Sequence, residues 1–114
     1  QFLSTNMVNE INLLKEKVKK FSVDRDWEQY HSPKELAIAL VLESSEVLDL
    51  FRFKENANPD SVALELADVL NILLRLSDVL NLDIIYWFEK KMAENEKKYP
   101  ISKCHGLSKK YDEL

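Results

Sequence analysis

Four carboxylates at a repeated spacing mark where this chain could do chemistry. Glu43 and Glu46 stand three apart in ALVLESSEVLDLF, and Glu65 and Asp68 stand three apart in LELADVL. On a helix, residues three apart share a face with their Cβ atoms about 5 to 6 Å from each other. Two ionised carboxylates at that distance repel by about 3 kcal/mol at an effective dielectric of roughly 20. A cluster of this kind is tolerated when it is protonated, solvated or neutralised, and a hard divalent cation with oxygen ligands is the natural neutraliser. Magnesium is the leading candidate, with manganese as its substitute. Magnesium keeps several waters and commonly bridges protein carboxylates to substrate phosphates, so the pattern points to nucleotide or phosphate-ester chemistry.

The elements that must position these acids are helices. Leu36, Leu40, Glu43, Val47 and Leu50 step by four and three, and Ala39, Leu42, Glu46 and Phe53 form the stripe beside them. Both glutamates therefore replace core residues. Ser32 can cap this helix, Pro33 suits its first position and Glu35 closes a capping box, so the spacing predicts a helix from Pro33 to Phe53. Asn58 and Pro59 repeat the signal, and a third helix is expected over Ser61 to Leu80. A short loop joins the two, which favours antiparallel packing that brings both acidic pairs to one end. On the third helix, Glu65, Asp68, Asn71, Arg75 and Asp78 also step like an ordinary solvated face.

An amphipathic first helix is read from Val8, Ile11, Leu14, Val18 and Phe21, ending near Val23. IIYWFEKKMAENEKK makes a fourth, which Pro100 ends, and residues 100–114 read as an extended tail or lid. Lys91, Asn95 and Lys98 share a face of the fourth helix and offer cations to a phosphate. Trp27 and His31, in the segment before the second helix, could stack on or hydrogen-bond to a base, and Phe53 is a further aromatic candidate.

Composition sets the frame. The 114 residues fit one domain, and 46% hydrophobic and 32% charged residues with a single glycine suit an all-α fold. A net charge of −4 gives no bulk attraction to a nucleic-acid backbone. The lone Cys104 suits a reduced, cytoplasmic protein, and no apolar run is long enough to span a membrane.

RDWEQYHSPKELAIALVLESSEVLDLFRFK, then ELADVL, then KMAENEKKYP, resemble in that order the MazG-like all-α nucleoside triphosphate pyrophosphohydrolases, most closely their small dCTP-pyrophosphatase-like branch. The resemblance implies a four-helix bundle assembled as a homodimer or homotetramer, with the site near the interface. It implies magnesium-dependent hydrolysis of a nucleoside triphosphate, such as dCTP, to the monophosphate and pyrophosphate, in nucleotide-pool house-cleaning. By position it implies metal ligation by Glu43, Glu46, Glu65 and Asp68. Phosphate contacts would come from Lys91, Asn95 and Lys98, and base or sugar contacts from Trp27, His31 and Phe53. Glu46 is the expected general base. Phe53 stands where the branch often has Trp, and Ile72 where it often has Tyr. The apolar circumference of the third helix independently favours a homo-oligomer. The competing readings are a helical oligomerisation module without catalysis, and a sensor that binds nucleotide without cleaving it.

Overall fold

Three of the four long helices open on a side chain that satisfies backbone N–H groups left unpaired by the first turn. Ser32 Oγ accepts the Glu35 N–H at 3.2 Å, with Pro33 following the cap. Asn58 Oδ1 accepts the N–H groups of Asp60 and Ser61 at 2.9 and 3.2 Å, and Asp83 Oδ1 accepts that of Tyr86 at 3.2 Å. The computed structural model describes residues 5–114, with side chains from Glu10 onward. Its helices are α1 (Thr5–Asp24), α2 (Pro33–Asp49), α3 (Pro59–Val79), α4 (Ile84–Lys98) and the short α5 (Ile101–Cys104). Single 3-10 turns lie at Glu28–Tyr30 and Tyr111–Glu113, and no strand occurs among the described residues. Of Val8, expected on the apolar face of α1, only the backbone is described.

Helix ends fall within two residues of expectation except at the end of α2, and the residues after Pro100 also depart from it. α2 ends at Asp49 rather than Phe53 because the chain tightens into three-residue turns, with Phe51 N–H donating to Leu48 O at 2.9 Å and Arg52 N–H to Asp49 O at 3.1 Å. Phe53 then takes a left-handed φ of 63°, which removes it from the helical stripe. The residues after Pro100 are not extended: α5 is followed by Gly106 at φ 81° and by the Tyr111–Glu113 turn. That positive φ suits the one residue without a Cβ.

The chain divides into two compact units, one ending at Leu82 and one beginning at Asp83. In the first, α2 and α1 both pack against α3. Leu36 and Leu74 are its buried apolar residues, joined by buried Ser22, Arg75 and Ser77. The two serines return their hydroxyls to the helix behind them, Ser22 to Val18 O at 3.2 Å and Ser77 to Leu73 O at 2.9 Å, so neither leaves a buried polar group unpaired. Between α1 and α3 lies a cavity of about 330 Å³ bordered by Leu14, Phe21, Leu70 and Asn71. In the second unit the tail folds back on the end of α4. Tyr111 meets Tyr99 edge to face at 6.4 Å, and the Lys98 ammonium lies 5.0 Å from its ring. No described helix is long and apolar enough to cross a membrane.

Candidate metal centre

The packing of α2 on α3 brings the last two turns of one helix against the first two of the other. Glu43, Glu46 and Glu65 meet there, each offering a carboxylate oxygen within 4.8 Å of the other two. Glu43 and Glu65 are half-buried and Glu46 is exposed. The Oε2 atoms of Glu43 and Glu65 are buried with no hydrogen-bond partner among the described residues. An ionised carboxylate is acceptor-only, so three of them at this distance cannot satisfy one another.

The electrostatics follow from that crowding. The Glu43 carboxyl is held above the ordinary glutamate range, first because its protonated form hydrogen-bonds Glu46, then by burial and by the charges of Glu46, Asp68 and Glu65. Glu65 is also raised, chiefly by burial and then by the charges of Glu46 and Asp68. Asp68 is exposed one turn along α3 and does not join the three converging carboxylates, although its charge acts on two of them. An all-oxygen donor set with two buried oxygens lacking donors fits a hard divalent cation. A thiol- or imidazole-seeking metal would find no soft ligand among these three residues.

The remaining residues proposed from sequence are not members of that trio. Lys91, Asn95 and Lys98 are in the second unit, on one face of α4. Trp27 meets Phe21 edge to face at 5.7 Å and stays half-exposed. Phe53 is 94% exposed, with the Arg52 guanidinium 5.1 Å from its ring. His31 is half-buried, and its Nδ1 accepts the Nε–H of Arg75 at 3.0 Å.

That last contact joins His31 to a residue the sequence did not mark as part of the site. Arg75, read within a solvated row of α3, is only 5% exposed. Its Nη1 donates to Asp78 Oδ2 and its Nη2 to Glu28 Oε1, both at 3.2 Å. Ile72 to Leu76 flanks Arg75 with apolar residues, but its steps from Asn71 and to Asp78 are those of a solvated face, so no local signal gave its burial. Burial, and then the Arg75 charge, hold the His31 pKa below its ordinary value, with Glu28 opposing.

The sequence profile of the MazG-like family matches residues 34–114, a span that includes all four acids. The chain belongs to the MazG-like family. Within it, dCTP pyrophosphatase 1 of Rattus norvegicus is 36% identical over 105 residues, covering 83% of this chain and 62% of that protein. The Homo sapiens dCTP pyrophosphatase 1 shows the same identity and coverage. This MazG-like chain thus spans about three fifths of the length of these curated relatives. The crystal structure of a pyrophosphatase from Archaeoglobus fulgidus DSM 4304 superposes with a TM-score of 0.71 at 31% identity, covering 88% of this chain and 97% of that one.

Proposed function

We propose that this protein is a nucleoside triphosphate pyrophosphohydrolase that cleaves a dNTP, dCTP foremost, to the monophosphate and pyrophosphate. The convergence of Glu43, Glu46 and Glu65 carries this reading, because two of the three hold buried oxygens with no donor among the described residues. The similarity to dCTP pyrophosphatase 1 supports the substrate. Glu43, Glu46, Glu65 and Asp68 would hold magnesium, or manganese in its place. When bound, the ion supplies Lewis-acid polarisation of phosphoryl oxygens and lowers the pKa of water.

The chain's own groups do the rest. Glu46, the exposed member of the trio, takes the proton of the water that attacks the α-phosphorus as the bond to the bridging oxygen breaks. Lys91 and Lys98, with Asn95 between them on α4, offset the charge that accumulates on the departing pyrophosphate. Trp27, His31 and Phe53 bind the base and sugar.

The same reading includes assembly. Val41, Leu48 and Leu64 on α2 and α3 are 68%, 73% and 71% exposed, an apolar surface that supports a homodimer or homotetramer of four-helix bundles. Each chain would act as a single cytoplasmic domain with no nucleic-acid or membrane partner. The deciding experiment incubates the protein with each common dNTP and magnesium and resolves the products. dCMP with pyrophosphate is the expected result. Diphosphate with inorganic phosphate would overturn the α-phosphorus mechanism, and no product with any nucleotide would overturn the enzyme reading.

A further inference from the structure

A guanidinium keeps its charge in a protein and has donors only, so a buried one is defined by what it donates to. Arg75 on α3 divides its donors between its own helix, at Asp78, and a segment more than forty residues earlier, at Glu28 and His31. The Nε of arginine always bears a hydrogen. The ring nitrogen that accepts it must therefore be unprotonated, which leaves the single imidazole proton of His31 on Nε2. Glu28 opens the 3-10 turn that follows Trp27 and His31 caps its end, so one side chain ties this whole segment to α3.

We infer that Arg75 is a positioning residue for nucleoside recognition: it locks residues 27–31 onto α3 and presents His31 as a neutral Nε2–H donor to an acceptor atom of the base or sugar. The ligand in this inference rests on the pyrophosphohydrolase reading; the tautomer does not. Burial of His31 acts in the same direction, since it disfavours the imidazolium that would repel Arg75. A donor fixed in this way selects a carbonyl or an unprotonated ring nitrogen and rejects an N–H at the same place.

The test begins with the wild-type protein labelled with ¹⁵N. Two-bond ¹⁵N–¹H spectra at neutral pH, with the His31 signal assigned by its loss in His31→Gln, should show the Nε2–H tautomer alone. In Arg75→Met that signal should revert to a tautomer mixture, with KM for dCTP raised about tenfold and kcat within about twofold of wild type. Arg75→Lys keeps the charge but loses the fork. It should keep the fold with KM still raised, and it serves as the comparison if Arg75→Met does not fold. A wild-type His31 that is doubly protonated or carries its proton on Nδ1 overturns the inference. So does an unchanged KM in a folded Arg75 variant. If no nucleotide is hydrolysed, the activity reading fails separately. Calorimetric binding of magnesium–dCTP then decides, with weakening of about tenfold in the variant supporting the inference and unchanged binding overturning it.

Discussion

Glu43 on α2 and Glu65 on α3 come from different helices, yet their carboxylates lie within 4.8 Å of each other, and each has a buried Oε2 without a donor among the described residues. Both groups titrate above the ordinary glutamate range. Between that ordinary value, about 4.3, and the raised values, the folded chain binds more protons than the unfolded one, so stability falls as pH rises through this window. Magnesium binds the ionised forms and should reverse the loss, by about 2.7 kcal/mol at a free concentration one hundred times its dissociation constant. Thermal unfolding in EDTA should therefore show Tm falling more between pH 4.5 and pH 7 in wild type than in Glu43→Gln, with magnesium raising the wild-type Tm at pH 7 and having little effect at pH 4. A Tm at pH 7 indifferent to magnesium would remove the metal site.

Substituting the acids separates ligand from neighbour. Glu43→Gln keeps the shape, removes one of the converging charges and gives Glu46 an N–H donor. The metal-free protein should become more stable at neutral pH, lose its response to magnesium and lose turnover by roughly a hundredfold or more. Asp68→Asn should act more mildly, by about tenfold in magnesium affinity, because Asp68 is exposed and outside the converging trio. Calorimetric titration with magnesium checks both. Unchanged affinity in Asp68→Asn would leave three protein ligands rather than four.

The frame of the two central helices was legible because the starts of α2 and α3 are written in adjacent residues. Ser32 with Pro33 and Asn58 with Pro59 cap as their sequence contexts require, whereas the Asp83 cap of α4 was not read, and the two glutamates in the α2 stripe converge with Glu65 though not with Asp68. What escaped was set by long-range geometry. The end of α2 depends on a turn that forces Phe53 to positive φ, a conformation that phenylalanine does not advertise. Arg75 looked solvated in a helical row because its partners Glu28 and His31 lie in an irregular segment whose position periodicity does not encode.

The cap that starts α3 stands about two turns before Glu65, whose register is set by the packing of α2 on α3. Asn58→Ala removes the acceptor for two backbone N–H groups and should lower stability by about 1 kcal/mol. Denaturant unfolding should show a lower midpoint with an unchanged slope. The kcat per folded molecule should stay close to wild type, since α3 re-forms from its second turn. A large fall in kcat would mean that the cap, rather than the packing of α2, fixes the Glu65 register.

Phe53 offers the opposite trade. A non-glycine residue in the left-handed region costs about 1 to 2 kcal/mol, and the exposed ring finds little in the chain to offset that beyond the Arg52 guanidinium. Phe53→Gly relieves the strain while loosening the unfolded chain by about 0.4 to 1 kcal/mol, so stability should rise by up to about 1.6 kcal/mol. If the ring is held out to meet the base or sugar, the same variant should raise KM for dCTP several-fold with kcat nearly unchanged. Stability and affinity would then move in opposite directions, as strain stored at a binding position requires. A variant that is more stable and binds dCTP as well as wild type would remove Phe53 from the binding set.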